Sequence, residues 1–340
     1  MSKVYFIKNE SLNDDQLGSD ALKLLKTVVA ASGHTFEKEV PLKVHFGEKG
    51  NTTFLSAKCY DPTIQYLKEM GVSPSYIETN VLYRGSRTTT DKHLETAKAH
   101  GFSQIPIIIA DGDLGTEYVE VEIPGEYIKK CKIGKGYGRF NQFIVMSHFK
   151  GHIQAGFGGA LKQLAMGFAA RGGKLEQHAG IAPVVSAKKC VSCGLCIEKC
   201  DFDAIEMINT AVIDPDKCVG CAGCIAVCPE GAIRNSWSGS NFLEKLSEYA
   251  LGAAKDKDII YISFISNVTE ECDCTGIHMK PIADNIGVLA SKDPVALDTA
   301  CLDLLQQRSR KKLFENGRVS LKHAEKIGLG TMAYELVALD

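Results

Sequence analysis

Two cysteine runs decide part of the fold: Cys190-Val-Ser-Cys193-Gly-Leu-Cys196-Ile-Glu-Lys-Cys200 and Cys218-Val-Gly-Cys221-Ala-Gly-Cys224-Ile-Ala-Val-Cys228-Pro229. Both have the spacing C-x2-C-x2-C-x3-C, which is typical of bacterial ferredoxins with two cubane clusters. In that arrangement three thiolates of a run hold one cluster and the fourth reaches the other cluster. We therefore predict one [4Fe–4S] cluster on Cys190, Cys193, Cys196 and Cys228. The second would be held by Cys218, Cys221, Cys224 and Cys200.

Other uses of cysteine fit this spacing less well. Zinc ribbons also contain C-x2-C pairs, but they need four ligands per metal and rarely have three cysteines in such close succession. A disulfide framework requires an oxidising compartment, and no feature of the sequence indicates one. The first run departs from the pattern at Asp201, where a proline is usual. A carboxylate there is expected to tune or weaken a cluster without abolishing the fold.

Length and composition indicate a globular protein of two domains. The chain has 340 residues, of which 45% are hydrophobic and 24% are charged. Its formal net charge of −2 gives no support for binding to nucleic acid or to an anionic membrane. No apolar run approaches the ~20 residues that span a bilayer. The first residues do not have the form of a secretory signal, so we expect a cytoplasmic protein in a strongly reducing cell.

The cysteine runs form an internal repeat inside a larger domain. Ala204-Ile205 after the first run is matched by Ala232-Ile233 after the second. We predict a ferredoxin-like α+β insert over residues 184–236. Residues 1–183 and 237–340 would then form one discontinuous host domain, interrupted at a surface connection where insertion is tolerated.

In the host, short apolar runs alternate with segments of helical periodicity. The predicted strands are 3–7, 42–46, 76–82, 105–110, 143–147, 259–265 and 286–290. The predicted helices are 14–30, 62–70, 91–100, 158–170 and 241–253, with one more after Asp293-Pro294. This alternation predicts an α/β host with a mostly parallel layered sheet.

Unusual residues follow several of these strands, where parallel sheets bind their ligands. His148, Lys150 and His152 follow strand 143–147, and Cys272 and Cys274 come after strand 259–265. These five are our candidates for catalytic or metal-binding residues, together with His278 as a metal ligand. Structural histidines and buried thiols are the alternatives, and the two cysteines are too close together to form a disulfide easily.

A second set of residues can bind an anion. Guanidinium groups clamp anions, and a glycine-rich helix start offers free backbone N–H groups. The candidates are Arg84, Arg87, Gly156, Gly158, Gly159 and Lys162. Solvated arginines and glycines that merely permit close packing explain the same pattern. We expect Arg84, Lys162 and the catalytic candidates to line one cavity, and the helix after Gly158 to run back to the far edge of the sheet.

The chain resembles a family of prokaryotic "uncharacterised iron–sulfur centre proteins", in which a domain of unknown function is fused to a ferredoxin module. The resemblance covers nearly the whole chain. It rests on the strings 80–87 (NVLYRGSR), 110–113 (ADGD), 147–152 (SHFKGH), 156–174, 272–274 (CDC) and 291–298 (SKDPVALD). It implies two [4Fe–4S] clusters and an anaerobe-associated protein, but no particular reaction.

Three functions fit the sequence. The clusters can relay electrons to a substrate, cofactor or metal in the host, which makes the protein an oxidoreductase. The protein can instead be an electron carrier that docks a redox partner, or a metal-binding redox sensor. No G-x-G-x-x-G fingerprint occurs in the right context for nicotinamide binding, while a flavin or a further metal stays open. The first function fits the number of strand-end motifs best, and we expect a redox partner protein or a small-molecule substrate.

Overall fold

An eight-stranded sheet forms the centre of the protein. The structure is a computed structural model, and it describes residues 1–11, 13–178, 182–218, 220–235 and 240–339. The strands are, in chain order, β1 (Ser2–Lys8), β2 (Glu39–Lys43), β3 (Ser73–Glu78), β4 (Ile107–Ile109), β5 (Tyr118–Glu122), β6 (Lys130–Gly134), β7 (Gln142–His148), β8 (Lys150–His152), β9 (Gly156–Gly158), β10 (Val184–Val185), β11 (Ile205–Met207), β12 (Ala211–Ile213), β13 (Ile233–Arg234), β14 (Asp258–Ile265), β15 (Gly287–Ser291) and β16 (Tyr334–Leu339).

The helices connect and cover these strands. In chain order they are α1 (Asp14–Ser32), α2 (Asp61–Glu69), α3 (Thr90–Ala99), α4 (Ala160–Phe168), α5 (Arg171–His178), α6 (Leu195–Glu198), α7 (Gly223–Val227), α8 (Phe242–Ala254), α9 (Pro294–Ser309) and α10 (Arg318–Lys326). Short 3-10 turns lie at Ala57–Tyr60, Lys135–Arg139 and Glu315–Gly317. Within the described residues no helix combines the length and the apolar character needed to cross a bilayer.

The central sheet has the strand order β16-β1-β15-β14-β7-β2-β3-β4. All neighbours are parallel except β15, which is antiparallel to both β1 and β14. The mixed α/β fold with a mostly parallel sheet is thus confirmed. Because β14, β7, β2 and β3 are mutually parallel, their carboxyl ends lie along one edge of the sheet.

Helices cover both faces of the sheet, and β14 shows this division. Ile260, Ile262 and Phe264 belong to the apolar cluster that includes α1, while Tyr261 and Ile265 belong to the cluster of α4, α8 and α9. Successive side chains of a strand point to opposite faces. A run that is apolar on both faces is what a sheet covered on both sides requires.

Residues 184–235 form small elements with an apolar centre of their own. β10 pairs with β13, and β11 pairs with β12, both antiparallel. Cys196 and Ile225 are buried there together with Leu82 and Leu175 from the host. The division into an insert and a discontinuous host stays a prediction, and its second boundary, at 236, lies outside the described residues.

The structure corrects several sequence predictions. Residues 156–158 are not a helix start but strand β9, which pairs with β8 in a hairpin, and α4 begins only at Ala160. The prediction that α4 runs to the far edge of the sheet is also wrong. The carbonyl of Gly167, in the last turn of α4, accepts a hydrogen bond at 3.0 Å from Thr79 Oγ1. Thr79 directly follows β3, so this end of α4 lies at the same edge as the carboxyl end of that strand. The hairpin β5–β6 and the edge strand β16 were not predicted. No residue of β5 or β16 is fully buried.

Candidate functional site

A cavity of about 450 Å³ lies at the carboxyl ends of the parallel strands. His45 follows β2, Glu78 ends β3, His148 ends β7 and Cys272 lies in the loop after β14, and all four line the cavity. Because the strands are parallel and adjacent, residues far apart in sequence meet there. This is the position at which open α/β sheets bind their ligands.

The cavity brings together most of the residues that the sequence singled out. Those that line it are His148, Lys150, His152, Cys272, Cys274, Lys162, Arg87, Gly158 and Gly159. Arg84 and Gly156 are not among the lining residues. Gly156 is packed against Gly317, where a Cβ atom would come within 2.4 Å of a backbone nitrogen. His278 is exposed and contacts Thr52 Oγ1 at 2.6 Å, away from the cavity.

A buried carboxylate, Asp273, holds two of the candidates in place. Its Oδ2 accepts a hydrogen bond from Lys150 Nζ at 2.7 Å and lies 2.9 Å from Nδ1 of His148. Burial favours the neutral acid, but these two partners hold the pKa of Asp273 well below its usual range. The other ring nitrogen of His148 lies 2.7 Å from the carbonyl of Ser266. Both nitrogens of His148 are therefore engaged, which removes this residue from the metal-ligand candidates.

Arg87 is fixed by a second buried group of partners. Its Nε donates to Glu48 at 3.3 Å and its NH2 group donates to Tyr83 Oη at 2.8 Å. Its NH1 group lies 3.1 Å from Nε2 of His45. Burial and the nearby guanidinium hold the pKa of His45 well below its usual range, so the ring is neutral. Arg87 is thus held rigidly beside the cavity, with its charge paired to Glu48.

Lys162, in the first turn of α4, differs from the other cavity cations. In the described part of the chain its ammonium meets no carboxylate and no acceptor within hydrogen-bond distance. Burial, reinforced by Lys150, lowers its pKa to about 7. Lys174, by contrast, donates to Thr79 Oγ1 and to the carbonyl of Asn80, both at 2.6 Å. Lys162 is therefore the cavity cation that is available to a bound anion.

The amino terminus of α4 is already occupied by a protein carboxylate. Asp298, in α9, accepts from the backbone N–H groups of Ala160 and Leu161 at 2.8 Å each. Burial raises the pKa of Asp298 to about 7, although the two N–H groups act against this shift. The predicted anion site at Gly156, Gly158 and Gly159 requires free backbone N–H groups at the start of a helix. This part of the prediction is wrong, because the Asp298 carboxylate already accepts the N–H groups at the start of α4.

Cys272 and Cys274 are joined by a disulfide in the cavity wall. Cys272 is buried and Cys274 is half-buried. The loop brings the two Cα atoms to 5.2 Å, within the range that a disulfide needs, although the cysteines are only two residues apart. The N–H of Cys274 also donates to Sγ of Cys272 at 3.4 Å.

His152 lies beside this pair. One of its ring nitrogens and both sulfurs are within 4.8 Å of one another, so the three residues can hold a metal ion once the cysteines are thiolates. Its Nδ1 accepts from the N–H groups of Gln154 and Ala155 at 3.2 and 2.9 Å. Burial keeps the ring neutral by holding its pKa well below the usual range. The single ring proton is thus on Nε2.

Cysteines from the two runs of residues 184–235 lie close together in space. Cys190, Cys193 and Cys196 line a small cavity together with Cys228, which comes from the other run. Conversely, burial and the proximity of Cys221 and Cys200 raise the pKa of Cys218. Three of the sulfurs accept hydrogen bonds from backbone N–H groups: Cys190 from Ala211 at 3.5 Å, Cys200 from Ala204 at 3.4 Å and Cys228 from Ala232 at 3.2 Å. This donor set suits iron–sulfur clusters.

The segment that follows β3 joins these cysteines to the cavity. Leu82 lines the cavity and also belongs to the apolar cluster of residues 184–235. Tyr83 Oη donates to the carbonyl of Cys274 at 3.0 Å. The guanidinium of Arg84 points the other way, and a Cβ on Gly231 would lie 3.5 Å from its NH1. Arg84 is therefore a contact between the two regions and does not face the cavity.

Several residues of the site were not predicted. His45 and Glu78 were placed inside strands, since both follow apolar residues with no break in the pattern. Asp273 was read only as the residue between two cysteines, and Lys174 only as the end of a resemblance string. Their burial and pairing depend on contacts with distant segments, as in the bond of Lys174 to Thr79.

Comparison with known proteins gives limited similarity outside the family. No curated protein matches the chain in sequence. Two solved structures resemble it at 12% identity: a protein from Thermotoga maritima (TM-score 0.44, covering 94% of this chain and 60% of that one) and the lactate racemase apoprotein from Thermoanaerobacterium thermosaccharolyticum (TM-score 0.43, covering 88% and 56%). The chain spans less than two thirds of either structure. Residues 40–303 match the family described as "Domain of unknown function (DUF362)", and the chain belongs to this family.

Proposed function

We propose that the protein is an iron–sulfur oxidoreductase. Two [4Fe–4S] clusters in the predicted ferredoxin insert would pass electrons to a small molecule bound in the cavity of the α/β host. Cys190, Cys193, Cys196 and Cys228 would hold one cluster, and Cys218, Cys221, Cys224 and Cys200 the other. The clusters supply one-electron redox chemistry, while the host residues bind and orient the substrate.

The observation that carries this proposal is the contact between the two regions at Leu82. This side chain belongs both to the cavity wall and to the apolar cluster that contains Cys196. Electron transfer slows steeply with distance, so a relay needs such a short connection. An electron carrier without its own substrate needs no cavity of about 450 Å³ beside the clusters, and this favours the enzyme over the carrier.

The charges of the cavity favour an anionic substrate. Among the described residues no carboxylate lies within hydrogen-bond distance of the Lys162 ammonium, and Arg87 lines the same cavity. A carboxylate or phosphate group can pair with Lys162 and satisfy its buried charge, which otherwise costs several kcal/mol of desolvation. The substrate class is therefore a small organic anion.

Anaerobic purification followed by iron, sulfide and visible-absorbance analysis tests the cofactors. We expect about eight iron and eight sulfide per chain, and absorbance that dithionite bleaches. Fully reduced protein is then mixed with a panel of small carboxylates and phosphates. At least one should restore the absorbance faster in the native protein than in Lys162→Met. Absence of iron, or equal rates for every anion in both proteins, contradicts the proposal.

A second candidate function is a metal-binding redox sensor. The observation that favours it is the grouping of His152, Cys272 and Cys274 within 4.8 Å. Two thiolates and one imidazole suit Zn²⁺ with an open fourth position. Binding at Nε2 would require the ring proton to move to Nδ1, where two N–H groups already donate. Zinc content measured after reduction with a phosphine, in native protein and His152→Ala, tests this function.

A further inference from the structure

We propose that the Cys272–Cys274 disulfide is a redox centre that receives two electrons from the clusters. This inference rests on the proposed function and names the first electron acceptor in the cavity. A disulfide is a two-electron couple, and two one-electron clusters supply what it needs. The pair would then be the point at which single electrons are collected for the substrate.

The position of the pair supports this role. Cys274 is half-buried in the cavity wall, so a substrate in the cavity can reach its sulfur. Its carbonyl accepts from Tyr83 Oη at 3.0 Å. The residue before Tyr83 is Leu82, which packs in the apolar cluster with Cys196. One short backbone segment thus joins the insert to the disulfide.

The surroundings of the pair also suit thiol chemistry. The N–H of Cys274 donates to Sγ of Cys272 at 3.4 Å, and such a bond stabilises a thiolate. His152 carries its ring proton on Nε2, because Nδ1 accepts two backbone N–H groups. One nitrogen of this ring lies within 4.8 Å of both sulfurs. Because Nδ1 already accepts two N–H groups, Nε2–H is the group of this ring that can donate a hydrogen bond to the thiolate that forms as the bond opens.

Two electrons and two protons open the disulfide. Each reduced cluster gives up one electron and returns to its oxidised state. The S–S bond between Cys272 and Cys274 breaks, and its two sulfurs take the two electrons and two protons to become thiols. Both protons come from solvent, and Nε2–H of His152 can stabilise the developing thiolate by a hydrogen bond. Oxidation of the two thiols by a bound substrate would close the cycle.

Stepwise reduction of the clustered protein tests the proposal. Anaerobic protein is titrated with dithionite, the absorbance is followed, and thiols are trapped with iodoacetamide and located by peptide mass spectrometry. The native protein should take up about four electrons per chain, against about two for Cys274→Ser and for Cys272→Ser. Alkylation at Cys272 and Cys274 should appear only after reduction. Cys59→Ser, which alters a buried thiol outside the cavity, should behave like the native protein.

The kinetics supply an independent readout. In His152→Ala the pair should open roughly tenfold more slowly, since the developing thiolate loses the hydrogen bond from Nε2–H, while the electron count stays at the native value. Equal electron uptake by native protein and both serine variants overturns the inference. If the clusters bleach but the pair opens only with a phosphine, the inference fails while the relay to substrate stands. If no iron is found, the proposed function fails first.

Discussion

Tyr83 donates a hydrogen bond to the carbonyl of Cys274 at 3.0 Å, across 191 residues of sequence. The same hydroxyl accepts from Arg87 at 2.8 Å. Tyr83 therefore ties the loop after β3, which contacts the cysteine-rich region through Leu82 and Arg84, to the loop of the disulfide. A change in one loop is expected to be felt in the other.

Tyr83→Phe should lower the free energy of unfolding by about 1–2 kcal/mol, because Arg87 and the Cys274 carbonyl lose a buried partner. Iron content should stay native. The measurement is anaerobic urea unfolding. Tyr127→Phe is the matched control, since the Tyr127 side chain is 40% exposed and should cost almost nothing. An equal effect of both variants would contradict the structural role of Tyr83.

Cys228→Ser should damage the cluster held by Cys190, Cys193 and Cys196, although the variant lies in the other run. The reason is that Cys228 lines the same small cavity as those three cysteines. Iron should fall to about half the native content. Cluster-specific electron paramagnetic resonance, compared with Cys193→Ser, identifies which cluster is lost. If Cys228→Ser instead removes the signal that is lost in Cys221→Ser, Cys228 does not belong to the cluster of Cys190, Cys193 and Cys196.

Asp298→Ala should lower the free energy of unfolding by about 2 kcal/mol, because two N–H groups at the start of α4 lose their acceptor. Thermal unfolding under anaerobic conditions measures the change. Asp303→Ala is the control, since Asp303 forms a partly exposed ion pair with Arg318 that is worth about 1 kcal/mol or less. If Asp298→Ala lowers the free energy of unfolding no more than Asp303→Ala does, the Asp298 carboxylate does not cap α4.

Anion binding should weaken as the pH rises through about 7, where Lys162 loses its proton. The direction follows from the sign of the shift: the pKa is lowered, so the charged form that attracts anions is present only below that value. Calorimetric titration with oxalate and with inorganic phosphate between about pH 6 and about pH 8 measures the effect. Lys162→Met should bind weakly at every pH, while the surface variant Lys98→Met should follow the native curve. Affinity that is constant across this range in the native protein would contradict the role of Lys162.

The sequence predicted the layered sheet because that signal is local. Apolar runs such as Phe143–Val145 have side chains buried on both faces of a parallel sheet. The sequence also placed the residues after β7 and β14 at one edge, since parallel strands end together. It missed β16, an edge strand whose residues are all half-buried or exposed.

What the sequence could not predict depends on contacts between distant segments. Asp298 caps a helix that begins 138 residues earlier, and the cap therefore carries none of the local spacing of a capping box. Asp273 is buried because Lys150 and His148 meet it. Arg84 and Arg87 are three residues apart, yet Arg84 lies beside Gly231 while Arg87 lines the cavity.

The central claim is that electrons pass within one molecule from the clusters to the cavity. The most direct measurement is the re-oxidation of the clusters after a brief pulse of photoreduction, followed by absorbance at several protein concentrations. We expect a first-order recovery whose rate does not depend on concentration and which is lost in Cys274→Ser when no substrate is present. A recovery rate that rises in proportion to protein concentration, or one that is unchanged in Cys274→Ser, would contradict the account.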